Sequence, residues 1–103
     1  MYKLTVFIPD KALESVKTAL FKAGAGTVGN YEQCCWQIQG VGQFKPLSGS
    51  TPHIGKPDSL ETVDEWRVEM VVDDAVIKAV IRALQQAHPY ETPAYDVIAV
   101  LDF

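Results

Sequence analysis

The chain has 103 residues, 48% of them hydrophobic and 21% charged, with a formal net charge of -4. This is the size and balance of one soluble globular domain with a modest core, and the acidic excess, with no basic cluster, counts against a nucleic-acid partner held through phosphates. No apolar run approaches the ~20 residues of a membrane helix, and the run before Pro9 is too short for a signal peptide and has no cleavage site behind it, so no membrane partner and a cytoplasmic location are expected.

Residues 2–8 read as a strand, with Tyr2, Leu4, Val6 and Ile8 alternating against Lys3, Thr5 and Phe7. Pro9 closes the run, and Asp10 is placed to cap a helix that continues to about Ala23. Leu13, Val16 and Leu20, with Ala12, Ala19 and Ala23, make its apolar stripe. Gly24 then suits the left-handed position that ends a helix.

The glycine-rich turn that follows lacks the Gly-Lys-Ser/Thr of a phosphate loop and does not lead into a helix. A second strand comes next, in which Cys34, Trp36 and Ile38 are expected to face the core, with Cys35, Gln37 and Gln39 facing away. Adjacent cysteines on a strand point to opposite faces, so Cys34 and Cys35 are not expected to bond to each other. Residues 40–60, rich in glycine and proline, read as one long connection, and loops of that length usually pack on themselves or carry a function.

A third strand spans 61–72, with Trp66, Val68, Met70 and Val72 on one face. Asp73 or Asp74 is expected to cap a second helix, whose stripe is Ile77, Val80, Ile81, Leu84 and Ala87. Pro89 stops it, because proline lacks the amide hydrogen and disfavours helical geometry at the residue before it. A last strand runs from Tyr95 to about Leu101.

The order is β-α-β-β-α-β over a single domain, residues 1–103. This predicts an α+β, ferredoxin-like sandwich: a four-stranded antiparallel sheet with two helices on one face. Phe7, Val71, Ile98 and Val100 fall on the other face. An apolar patch there predicts a homo-oligomer.

The stretch "HPYETPAYD", His88–Asp96, gathers a histidine, two tyrosines and two acids. In this topology it approaches the loop carrying His53, and Asp10 and Glu61 or Glu65 lie at the same end. Cys34 lies nearer the opposite end. Imidazole and carboxylate are suitable ligands for a divalent transition metal, so His88, Glu91 and His53 are the candidate metal ligands. The competing reading has His88 ending the helix through a bond to a backbone carbonyl and Glu91 capping locally or pairing with Lys56 or Arg67. Tyr90 and Tyr95 read as packing aromatics with bonded hydroxyls. No hydrolytic triad is apparent, and no catalytic residue is assigned.

Together these stretches resemble a known family. Gly29, Asn30, Tyr31 and Cys34, then Gly40, Gly42, Phe44 and Pro46, then Gly49, Pro52, Ile54 and Gly55 match the small YqfO-like domain inserted in some Nif-three-like proteins, also called NGG-interacting factors or dinuclear-metal-centre proteins. The resemblance implies that domain's fold. It does not carry over the dinuclear site, because the flanking halves that hold the metals in those proteins are not in this sequence. "HPYETP" is also similar to a stretch of the CutA cation-tolerance family. CutA and the PII signalling proteins have ferredoxin-like subunits arranged as trimers, which implies a homotrimer ahead of a dimer. The function expected is a binding or regulatory module for a metal or small ligand. The alternatives are an interaction module for an unidentified protein partner and, more distantly, a metal-dependent hydrolase.

Overall fold

A computed structural model describes residues 1–103. The elements are β1 (Tyr2–Pro9), a 3-10 turn (Asp10–Ala12), α1 (Leu13–Lys22), β2 (Trp36–Phe44), β3 (Glu61–Val72), α2 (Ile77–Ala87) and β4 (Tyr95–Ala99). The sheet order is β2-β3-β1-β4, antiparallel throughout. This is the expected ferredoxin-like α+β sandwich.

The core follows from the alternation in the two central strands. Leu4 pairs with Met70, Val6 with Val68 and Ile8 with Trp66, which aligns their apolar side chains on the helix-covered face. Leu13, Val16 and Leu20 of α1 and Val80 and Leu84 of α2 close over them, and Leu4, Val6, Ile8, Val16, Leu20, Val68, Val80 and Leu84 lose all solvent exposure. Each such side chain contributes roughly 1.5–3 kcal/mol of transfer free energy.

Helix α1 ends as its sequence predicts. Gly24 takes a φ of +112°, its N–H bonds the Phe21 carbonyl at 3.0 Å, and the Ala25 N–H reaches back to the Leu20 carbonyl at 3.1 Å. This paired arrangement satisfies carbonyls that the last turn would leave open.

Several local expectations need correction. Strand β2 has the opposite phase to the one predicted. Gln37 pairs with Val68 and Gln39 with Trp66, so the glutamines share the helix-side face, while Trp36 and Ile38 lie opposite Glu69 and Arg67 on the open face. Cys35, not Cys34, packs against the core. The cause is that β2 is an edge strand. Its helix-side face meets the polar rim of α1, where the Lys17 ammonium donates to Gln37 Oε1 at 2.9 Å.

Strand β2 also extends through Phe44, so the connection is 45–60 and not 40–60, and β4 ends at Ala99. Neither helix has an aspartate cap. Pro9 precedes the 3-10 turn and Val76 precedes α2, with no side-chain cap bond at either. The Asp10 carboxylate instead accepts the Trp66 indole N–H at 2.7 Å, and Asp74 pairs with the Met1 ammonium. A donor distant in sequence holds each carboxylate.

No helix is long and apolar enough to cross a membrane. The face of the sheet away from the helices carries Phe7, Val71 and Ile98, as expected, and also Trp36 and Ile38, which are 59% and 51% exposed.

Candidate functional site

The site is built at the corner where α2 turns into β4. His88 closes the helix with its N–H on the Leu84 carbonyl, then adopts extended backbone (φ -70°, ψ 132°), as the following Pro89 requires. Its ring is buried. The Tyr90 N–H donates to Nδ1 at 3.1 Å, which makes Nδ1 the acceptor and leaves the proton on Nε2. That proton points at the Phe7 carbonyl, 2.7 Å away. Phe7 lies one residue beyond the last β1–β4 pair, Val6 with Tyr95, and the imidazole satisfies a carbonyl left open there. Burial holds the His88 pKa below its ordinary value of 6.5, against the opposing pull of the Phe7 bond and the Glu65 charge, with a further lowering from His53.

Turning the chain at His88 projects Tyr90 toward the β2–β3 hairpin. Its hydroxyl donates to Glu65 Oε2 at 2.7 Å. Burial, that bond and the carboxylate charge raise the phenol pKa well above its ordinary 10.0. The Tyr90 ring also sits among Phe44 (centroids 6.0 Å), His53 (6.4 Å) and His88 (4.8 Å). Glu65 reaches this position because Gly42 has no side chain: a Cβ there would lie 1.8 Å from Glu65 Oε1. Next to Tyr90, Glu91 accepts the Thr51 N–H at 2.9 Å and ties the corner to the long loop.

Between the two loops lies an open cleft of about 360 Å³. Its apolar lining includes Phe44, Pro46, Pro52, Ile54 and the Tyr90 ring, and its polar lining includes Lys45, His53, Glu65, Glu91 and Thr92. Apolar walls with a few converging polar groups are the usual composition of a small-molecule site.

The fold therefore brings two of the three candidate ligands, His53 and Glu91, to the same cleft. His88 stands behind Tyr90, with both ring nitrogens in hydrogen bonds to backbone groups. No three histidine, cysteine, aspartate or glutamate side chains are grouped to hold a metal ion. Glu91 pairs with neither Lys56 nor Arg67: its partner is the Thr51 amide, and Arg67 pairs with Glu69. Asp10 reaches Trp66 at this end of the sheet. Cys34 bonds through its N–H to Gly26, beside the opposite end of β3, where Gly26 itself donates to Val71.

The residue that the sequence reading undervalued is Gly42. Glycine at alternate positions 40 and 42 of a strand marks a place where something approaches the backbone closely. Here that is the Glu65 carboxylate.

A ferredoxin-like sheet with an open cleft between its β2–β3 loop and its α2–β4 corner defines a small α+β sandwich domain. The comparisons with known proteins narrow this. The chain is 47% identical over 98 residues to the GTP cyclohydrolase 1 type 2 homolog of Bacillus subtilis, and 44% identical over 97 residues to that of Halalkalibacterium halodurans. These alignments take in 95% and 94% of this chain and 26% of each relative. Among solved structures it resembles a Bacillus cereus protein related to NIF3, with 41% identity and a TM-score of 0.78 over 93% of this chain and 24% of that one. The chain is thus a homologue of the Nif-three-like proteins over one domain's length, and spans about a quarter of the relatives it matches. CutA1 from Pyrococcus horikoshii, at 17% identity and a TM-score of 0.71, shares the fold over 100% of this chain and 86% of its own. No protein-family model matches the chain.

Proposed function

We propose that this domain is a binding or regulatory module whose ligand site is the cleft between residues 45–54 and 88–94. One observation carries the reading. Two side-chain hydrogen bonds, Tyr90 to Glu65 and Thr51 to Glu91, fasten separate segments around a cavity of ligand size. Ordering loops in this way has an entropic cost that a surface without function need not bear. In a longer protein such as the relatives named for GTP cyclohydrolase, the domain would contribute recognition and leave any reaction to the remainder of the chain.

The Thr51 amide bonds the lining residue Glu91, and the Tyr90 amide belongs to a lining residue, so both should respond to an occupant of the cleft. In a small-molecule screen of the full chain by amide NMR, binders are expected to shift these two resonances saturably. Binders that cluster elsewhere, with both amides unmoved, would overturn the assignment. A divalent transition metal is the competing ligand, held by His88, Glu91 and His53. It would require His88 Nδ1 to exchange the Tyr90 N–H for the metal. Zinc and copper titrations beside a His88→Ala variant test that reading, with the variant's fold checked.

We further propose that the chain self-associates through the open sheet face, as a homotrimer ahead of a dimer. Phe7, Trp36, Ile38, Val71 and Ile98 supply the apolar surface that supports this. Sedimentation of the purified chain at micromolar concentration tests it, and a monomer at every concentration would reject it.

A further inference from the structure

We infer that the cleft takes an organic cation, an alkylammonium group carried on an apolar stem; this rests on the reading of the cleft as the binding site.

The cleft holds two carboxylates and no cation bound to either. Glu65 is half-buried, and its hydrogen-bond partner is the neutral Tyr90 phenol. The ion pairs of the chain join Met1 to Asp74, Lys3 to Glu69, Lys17 to Glu14 and Arg67 to Glu69. None of them includes Glu65 or Glu91. Arg67 stands two residues from Glu65 on the same face of β3, yet its Nε turns to Glu69 at 2.8 Å. Glu65, half-buried, and Glu91, exposed, therefore both lack a counter-charge within the chain, and a cation in the cleft would meet the two together.

Lys45 also lines the cleft. Glu65 and Glu91 set two carboxylates against the one lysine of the lining. An anionic ligand would meet Glu65 at the wall and Glu91 beside it.

The aromatic residues in the lining favour one kind of cation. The Phe44 and Tyr90 rings lie 6.0 Å apart and are tilted by 50°. Ring faces attract ammonium groups, and their apolar area accepts a hydrocarbon stem. At about 360 Å³ the cavity is far larger than a bare ion. Pro46, Pro52 and Ile54 would be left uncovered by a metal but covered by an alkyl chain.

The test is amide NMR on the full chain with three probes of one length: n-butylammonium, n-butanol and butyrate. The expected result is a saturable shift of the Thr51 and Tyr90 amides with n-butylammonium, at roughly millimolar affinity, and little with the other two. Glu65→Gln and Glu91→Gln keep an acceptor oxygen for Tyr90 and Thr51 but remove the charge. Each is expected to weaken n-butylammonium binding roughly fivefold or more while leaving the fold intact. Equal shifts from all three probes, or undiminished binding in both variants, would overturn the cation assignment and leave the cleft as the site. Butyrate as the preferred probe, or zinc binding there with no response to n-butylammonium, would also overturn it. Silence from every probe at both amides would count against the cleft itself. Acetyl-lysine methylamide, with its side-chain amine free, separates the two sources of such a group. Binding tighter than n-butylammonium supports a protein lysine as the natural occupant, and weaker binding supports a free amine.

Discussion

Tyr90 donates its hydroxyl to Glu65 at 2.7 Å, and through this bond the α2–β4 corner is fastened to the β2–β3 hairpin. The contact joins residues 25 positions apart, and it depends on a third that touches neither in any sequence pattern: Gly42, whose absent side chain leaves room for the carboxylate.

Gly42→Ala is therefore expected to displace Glu65 and break the bond. A flexible carboxylate can move aside, so the stability loss should be near that of one hydrogen bond to a charged group, about 1.5–3 kcal/mol at most. Gly40→Ala is the control, because a Cβ at Gly40 meets nothing within 4 Å. Thermal melts of the two variants should separate, with the Gly40 variant close to the parent.

The same bond predicts an alkaline limb. Folding raises the Tyr90 pKa above the ordinary phenol value of 10.0, so the folded state holds its proton more tightly than the unfolded chain. That stabilisation is complete below the unfolded pKa and is lost as pH rises above it toward the folded value. In a spectrophotometric titration, one of the four tyrosines should ionise after the others. Tyr90→Phe should remove that late step, and a parent whose tyrosines all ionise together would contradict the assignment.

His88 predicts the opposite limb. Its pKa is depressed from 6.5 by burial, so the folded state favours the neutral ring. Its stabilisation is present above the unfolded pKa and is lost as pH falls through 6.5 toward the folded value. Urea midpoints measured from pH 7.5 down to 5 should decline more steeply in the parent than in His88→Asn, after allowance for the lower starting stability of the variant. Parallel curves would show that protonation of His88 does not govern the decline.

Much of the fold was legible because the central strands alternate cleanly. Leu4, Val6 and Ile8, with Val68, Met70 and Val72, can satisfy only one face. The second strand misled for a physical reason. Alternation has two phases, and hydrophobicity selects the right one only where the apolar face is the core face. In β2 the apolar residues Trp36 and Ile38 lie on the open face, and Gln37 meets Lys17 at the helix rim. The helix caps failed because Asp10 and Asp74 found partners far along the chain, at Trp66 and Met1, which no local rule can see. At the site, convergence of His53 and Glu91 followed from topology. That His88 ends the helix with its ring on a backbone carbonyl was legible as well; that the carbonyl is Phe7's was not, because it depends on where β4 begins.

The inverted phase of β2 sharpens the assembly prediction. With Trp36 and Ile38 facing the core, the open face would carry only Phe7, Val71, Ile98 and Val100. With the register observed, Trp36 and Ile38 extend that surface to the β2 edge of the sheet, opposite Glu69 and Arg67. Phe7 lies on the central strand β1, across from Arg67 on β3. Phe7→Asp would place an unpaired charge near the middle of a desolvated contact, at a cost of roughly 2 kcal/mol or more. That corresponds to at least a tenfold weaker association. The backbone carbonyl that receives His88 is unchanged by the substitution, so the fold should survive, and circular dichroism can verify this. Trp36→Ser, at the edge strand, should weaken association as well, because it removes a large apolar side chain from the contact. Sedimentation velocity over a concentration series distinguishes the outcomes. Dissociation in both variants, with intact folds, places the contact on this face; an unchanged oligomer in both would place it elsewhere on the chain.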